Sequence, residues 1–259
     1  MLYTDAHIHL DSLEKLDDFL ASSQLINVAG VLSYTTNCSF FSDVKKRYPQ
    51  KNIFVGTGIH PYNASFEEIE KFDHFIEKNY AHIDFIGEIG FDFTQKNWQI
   101  PQKIQEYVFS YQLDLAQKYG LPLVIHSCKG MHVILQYKEK LQKLPSLIFH
   151  GYSGSVQDAH SLLAVNPNSY FSFGTSLIKN HKKALISFCA LPHDKILLET
   201  DGPFQVLDKN FQFNISLLEQ IYAKATELLG ISSEKLADSI CKNFTQCFAQ
   251  RSSKIFNRG

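Results

Sequence analysis

The chain has 259 residues, 44% of them hydrophobic, and a formal net charge of −1 with 20% of residues charged. Such a length can bury one large core and is close to the roughly 250 residues of a barrel of alternating strands and helices, so one domain spanning 1–259 is expected. The near-neutral balance excludes a general attraction to polyanions, so a nucleic-acid substrate must be gripped by a local patch.

The opening Met1-Leu2-Tyr3-Thr4-Asp5 has neither a basic nor an apolar leader region, and no segment approaches the roughly 18 uninterrupted apolar residues of a membrane span. Short apolar, β-branched or aromatic runs then alternate with longer amphipathic stretches, without a linker rich in Pro, Gly or Ser. Strands are predicted over 4–9, 27–33, 53–60, 85–90, 123–126, 146–150, 170–174 and 196–201. A helix is predicted over 99–119, where Val108, Gln112, Leu115 and Tyr119 fall at three- and four-residue spacing before the stop Gly120-Leu121-Pro122. Helices over 211–229 and 234–249 complete the outer layer. Eight sequential βα units favour a closed (β/α)₈ TIM barrel over an open sheet, and neither GxGxxG after the first strand nor GxxxxGK[ST] is present. The five cysteines, Cys38, Cys128, Cys189, Cys241 and Cys247, contain no CxxC pair. Reduced, mostly buried thiols in a cytoplasmic protein are therefore expected.

The potential metal ligands fall where a barrel carries its chemistry. His7, His9, His60, Glu88, His126, His150 and Asp201 all lie at or just beyond the carboxyl ends of predicted strands. His7 and His9 are two apart, so the pleat turns both imidazoles to one face, with Asp5 deeper on that face as a candidate orienter. His74, His82, His132, His160 and His193 are read instead as solvent-facing or structural. Imidazole and carboxylate donors without thiolate suit zinc, manganese, iron or magnesium, and this many donors is enough for two ions. Glu88, between Gly87 and Gly90, has one oxygen for each ion and is assigned as the bridge. Glu199 and Asp201 share a face, with Asp201 nearer the mouth, as ligand and proton acceptor.

At these residues the sequence resembles the TatD family of metal-dependent deoxyribonucleases, within the amidohydrolase-like barrel superfamily. Asp5-Ala6-His7-Ile8-His9-Leu10 is similar to the family's DxHxHL, Gly58-Ile59-His60-Pro61 to GxHP, and Gly87-Glu88-Ile89-Gly90-Phe91-Asp92 to GEIGLD. Gln112-Leu113-Asp114-Leu115-Ala116 precedes Leu121-Pro122-Leu123-Val124-Ile125-His126-Ser127 as QLxLA precedes LPVxIHS. His150-Gly151-Tyr152-Ser153-Gly154-Ser155 resembles HCFSGS, and Leu198-Glu199-Thr200-Asp201-Gly202-Pro203 resembles LETDSP. The resemblance implies an eight-stranded barrel with His7, His9, Glu88, His126, His150 and Asp201 as ligands to two divalent ions (zinc, magnesium or manganese). It also implies hydrolysis of DNA phosphodiesters, often from the 3′ end, with His60 contacting the scissile phosphate and Asp92 close by in the loop after strand four. In that mechanism Glu88 and Asp201 are catalytic, and His60, when protonated, donates to the phosphate or the leaving group.

Two departures from the family pattern bear on substrate. Cys128 stands where many members have an arginine two residues after the strand-five histidine, leaving the adjacent Lys129 as the candidate cation. Phe204-Gln205-Val206-Leu207-Asp208-Lys209-Asn210 replaces the usual RGxxNxP-like stretch. Lys179, His181, Lys182 and Lys183 form a basic cluster after strand seven, read first as a solvated helix start and second as a grip on a nucleic-acid backbone. Phe91, Phe93 and Trp98 offer either a stacking surface or packing against the barrel rim. Two rival readings stand: a barrel hydrolase of a small phosphoester or cyclic amide, and a non-catalytic metal-binding barrel. DNA is the expected partner, and a monomer is the default.

Overall fold

The computed structural model describes residues 2–35, 38–94, 100–207 and 213–248. The first half runs β1 (Tyr3–His9), α1 (Leu16–Ala21), β2 (Leu25–Val31), α2 (Cys38–Arg47), β3 (Asn52–Thr57), α3 (Phe66–Asn79), β4 (Phe85–Asp92) and α4 (Gln102–Tyr119). There follow β5 (Leu123–Cys128), α5 (Met131–Ile134), α6 (Lys138–Leu141), β6 (Leu147–Phe149), α7 (Val156–Val165) and β7 (Ser169–Phe173). The remaining described elements are α8 (Thr175–Ile178), α9 (Lys182–Ala190), β8 (Ile196–Leu198), α10 (Ser216–Leu229) and α11 (Ser233–Phe248).

The eight strands pair in parallel in chain order, which is the TIM barrel expected from the sequence. Between β1 and β8 the seam is closed by two backbone bonds: Asp201 N–H donates to His7 O and His9 N–H donates to Gly202 O, both at 2.9 Å. Beside them the Asp5 carboxylate accepts from Thr200 N–H at 3.0 Å and from the Thr200 hydroxyl at 2.6 Å. Asp5 is therefore a staple across the seam, and its Oδ1 also accepts from His7 N–H at 3.3 Å, so it holds the backbone of His7 rather than orienting its ring as expected. A register shift between Asp5 and Ile8 interrupts the alternation on which that expectation rested.

Local chemistry sets the element ends. Pro101 occupies the N-cap of α4 and Gly120 its C-cap at φ 63°, a left-handed conformation that glycine adopts without a Cβ penalty. Gly90, at φ 141°, permits the close approach of β4 to β5, since a Cβ there would lie 1.9 Å from His126 O. Strands three and eight end before the predicted limits, at Thr57 and Leu198, which leaves His60 and Asp201 in loops; β4 runs on to Asp92, which is a strand residue and not a loop residue. The predicted helix starts at 99 and 211 and the end at 249 lie outside the described residues. Among the four cysteines whose side chains are described Cys247 alone is buried, Cys128 and Cys241 are half-buried and Cys189 is exposed, correcting the expectation of mostly buried thiols. Cys189 sits on α9, part of the layer that meets solvent.

The amino-terminal end of the barrel is closed by α11, whose Phe244, Cys247 and Phe248 pack with Ala6, Val124, Ile148 and Leu197. Asn243 donates to the carbonyls of His193 and Ile196 at 2.8 Å, and Ser146 to Cys247 O at 2.6 Å. Truncating a buried phenylalanine removes transfer energy and leaves a cavity, so Phe244→Ala is expected to lower stability in urea unfolding by about 3–5 kcal/mol. Manganese affinity at the opposite end of the barrel should not change.

Candidate metal centre

Strand alternation delivers His7 and His9 to one face at the end of β1, as their spacing predicts. His7 is fully buried, and neither of its ring nitrogens has a hydrogen-bond partner. Its Nε2 lies 3.4 Å from Asp201 Oδ1 and 3.6 Å from Glu88 Oε2, and the corresponding His9 Nε2 distances are 3.2 and 3.5 Å. A buried, unpaired imidazole facing two carboxylates costs stability unless a cation completes the set. That orphaned donor is why these residues fit a divalent metal.

Glu88 is the hub. Its Oε1 lies 2.7 Å from His126 Nδ1, 2.5 Å from His150 Nε2 and 3.5 Å from His60 Nε2, while Oε2 faces His7 and His9. The donors form overlapping groups, His7-His9-Asp201, His7-Glu88-His150 and His60-Glu88-His126, with Glu88 common to the last two and its Oε1 facing His60, His126 and His150.

Around this cluster other side chains fix the geometry. Asp92 Oδ2 lies 3.0 Å from His126 Nε2 and accepts from the Tyr62 hydroxyl at 3.0 Å, while Oδ1 accepts from Thr94 N–H at 2.8 Å. Gln105 pins the Asp92 backbone in both directions, at 3.0 and 3.2 Å, and Gln112 does the same for Ile59 beside His60, at 2.7 and 3.1 Å. The two glutamines are seven residues apart on the buried face of α4, polar residues on an apolar stripe, and that was the sequence signal for them. Glu199 holds the β6 loop through Gly151 N–H at 2.6 Å and lies 3.7 Å from His150 Nδ1. Gln205 donates to Asp201 Oδ2 at 2.8 Å. Nothing in the sequence marked Tyr62, and Gln205 stood out only as part of a segment that departs from the family pattern, because the partners of both are set by the fold and not by local spacing.

His60 differs from its neighbours in its protonation. Tyr62 N–H donates to its Nδ1 at 3.1 Å, so Nδ1 carries a lone pair and the proton of the neutral ring sits on Nε2. Burial pushes the His60 pKa down, reinforced by His126 and His150 against the pull of Glu88. With Nδ1 accepting, Nε2 is the nitrogen aimed at the cluster, and burial disfavours the protonated form on which the expected donation by His60 was conditional.

The electrostatics of the remaining donors run the other way. Burial disfavours charge on His7, yet Asp201 and Glu88 hold it well above the usual imidazole range; Asp92 and Glu88 do the same for His126 against its own burial. Burial would raise Glu88, but His150, His126 and His60 keep it well below the ordinary carboxylate value, and His7 and His9 depress Asp201 likewise.

The cluster forms the floor of a cavity of about 520 Å³. Its walls come from the segments after β1, β2, β3 and β8, including Asp11, Tyr34, Tyr62 and Phe204, and Cys128 lines it as well. Lys129, the predicted substitute cation, is exposed at φ 58° and does not line the cavity. Lys179, His181, Lys182 and Lys183 are exposed, and Lys179 is engaged with Val206 O at 2.8 Å. Phe91 is wholly buried against Phe109, with Phe93 half-buried beside it, so Phe91 packs and does not present a stacking face; Trp98 lies outside the described residues. His74, His82, His132, His160 and His193 are all exposed.

A (β/α)₈ barrel with buried imidazoles and carboxylates converging at its carboxyl-terminal mouth defines the metal-dependent hydrolase class. Residues 4–249 match the family described as TatD related DNase. A protein named as a metal-dependent hydrolase from Mycoplasma pneumoniae is 30% identical over 219 residues, 79% of this chain and 82% of that one. A Danio rerio protein with a provisional deoxyribonuclease name, tatdn3, is 28% identical over 96% of this chain and 97% of its own. In crystal structures, the TatD homologue YjjV of Escherichia coli superimposes with a TM-score of 0.81 at 21% identity, covering 95% of this chain and 98% of that one. The chain belongs to the TatD family. No helix among the described residues is long and apolar enough to cross a membrane.

Asp201 and Glu88 favour the charged form of His7, and Asp92 and Glu88 that of His126, so a divalent ion competes with protons for the ring lone pairs. Adding Mn²⁺ to chelator-stripped protein in weak buffer is expected to acidify the solution, and affinity should strengthen from pH 6 to pH 8. Asp92→Asn, which removes the charge that orients His126, should weaken Mn²⁺ binding about 10- to 100-fold.

Proposed function

We propose that the protein is a metal-dependent deoxyribonuclease that hydrolyses DNA phosphodiester bonds from the 3′ end with two divalent ions, zinc, magnesium or manganese. The observation that carries this reading is the split of Glu88, with Oε1 toward His126 and His150 and Oε2 toward His7 and His9. His7, His9 and Asp201 would hold one ion, His126 and His150 the other, and Glu88 both. The bound ions would lower the pKa of a water and neutralise charge developing on the phosphoryl oxygens.

The chain's own residues divide the remaining work. Asp201 takes the proton given up as the water attacks phosphorus in line. His60 donates its Nε2 proton in a hydrogen bond to a non-bridging phosphate oxygen, an interaction a neutral imidazole makes without competing for the cation. Asp92 keeps the His126 ring aimed at Glu88, and the Tyr62 hydroxyl bonded to Asp92 joins this brace to the wall of the cavity. The same reading places the protein in the cytoplasm, in keeping with the free cysteines among the described residues, and as a monomer.

A second reading, hydrolysis of a small phosphoester or cyclic amide, is favoured by one observation: the described cavity lining contains neither lysine nor arginine. Many barrels acting on small cyclic substrates bridge their ions with a modified lysine on strand four, where this chain has Glu88, which supports the nuclease reading. The deciding measurement is hydrolysis of 3′-end-labelled single-stranded DNA with magnesium, manganese or zinc, beside an EDTA control and a small chromogenic phosphodiester. Metal-dependent release of nucleotides that disappears in Asp201→Asn is expected; intact DNA beside a cleaved small diester would select the second reading.

Glu88→Ala is expected to abolish turnover with an unchanged circular dichroism spectrum. His60→Phe, which removes the Nε2 donor, should lower kcat/KM about 10²- to 10³-fold while Mn²⁺ affinity is retained.

A further inference from the structure

Asp201 is bound from both ends. Its backbone N–H closes the barrel seam on His7 O, and its carbonyl accepts from Phe204 N–H at 3.0 Å and Gln205 N–H at 3.1 Å. Those two bonds wrap residues 201–205 into one turn, which returns the Gln205 side chain over the Asp201 carboxylate. There the amide Nε2 donates to Asp201 Oδ2 at 2.8 Å, while the other carboxylate oxygen, Oδ1, faces His7 and His9.

The amide itself is oriented. The hydroxyl of Thr175, a buried residue at the start of α8, donates to Gln205 Oε1 at 2.9 Å. With its oxygen occupied by that donor, the amide can present only its NH₂ to Asp201. A neutral donor also leaves the negative charge of Asp201 available to a cation, which a lysine or arginine at this place would cancel.

We propose that Gln205, oriented by Thr175, is a positioning residue that holds Asp201 Oδ2 away from the cluster, so that Asp201 meets the His7-His9 ion through Oδ1 alone. The inference rests on the metal-site reading above and goes beyond the ligand set, because Gln205 lies in the segment where this chain departs from the usual family sequence. Loss of the amide frees the carboxylate to rotate and loosens one ligand of the site; hydrogen-bonding partners of ligands of this kind are worth about 10- to 100-fold in metal affinity.

The test uses Mn²⁺ titration of chelator-stripped protein, with Gln205→Met, Thr175→Val and the double variant. Methionine keeps the length of the side chain without the donor, and valine keeps the shape of threonine without the hydroxyl. The expected series is about a tenfold or greater rise in Kd for Gln205→Met, a smaller rise for Thr175→Val, and a double variant no weaker than Gln205→Met, because Thr175 acts only through the amide. Turnover on single-stranded DNA should fall in the same order with KM little changed. Wild-type Mn²⁺ affinity in Gln205→Met, or losses that multiply in the double variant, overturns the positioning role and leaves the metal site standing. Wild-type protein that binds no Mn²⁺ overturns both. The predicted affinity series in a protein that leaves DNA intact keeps the role of Gln205 and overturns the nuclease reading.

Discussion

Closure of the barrel between its first and last strands is the constraint on which the rest depends. The atoms that close it belong to the residues that build the site: His7 and His9 offer their backbone O and N–H to the loop after β8, and Asp201 completes the bond to His7. A chain that failed to close would separate His7 and His9 from Asp201, so fold and candidate chemistry stand on one set of hydrogen bonds. The Asp5 staple to Thr200 sits one step deeper and carries no chemistry of its own, which suits a residue whose task is to hold that seam.

Above the seam the design is electrostatic. Five imidazoles and two carboxylates are gathered within a few ångströms at the floor of the mouth, where water competes weakly. Each carboxylate is stabilised by imidazoles and each charged imidazole by carboxylates, so no member is independent of the rest. His60 stands apart because a single backbone N–H, that of Tyr62, fixes its tautomer. Of the three histidines that face the same glutamate oxygen, His60 is thus the one whose donor nitrogen is fixed by a backbone contact.

Much of this was legible in the sequence, for definite reasons. Strand-to-helix alternation fixed the barrel, because parallel strands need crossover helices, and the ligands stood out because they clustered at strand ends. Misreadings arose where a local rule met a longer-range constraint. Asp5 obeys the two-residue period only on paper, since a register shift turns it to the seam. The family resemblance implied a loop position for Asp92, yet pairing with β5 carries the strand through it. Gln205 and Thr175 stand thirty residues apart and meet only because β7 and β8 are neighbours, a relation no local pattern encodes.

The amino-terminal plug has a consequence for how the chain is made. Thr4, on the first strand, is tied to Tyr222 on α10, 218 residues later, and α11 follows to cover the barrel floor. During synthesis, therefore, the first strand emerges long before either its sheet neighbour β8 or the helices that seal the bottom. A ribosome-bound chain carries an open sheet edge and a bare aromatic floor until α11 has been made, and contacts this distant make folding slow and leave it exposed to association with other chains. Synthesis of α11 is thus the step that ends this vulnerable interval.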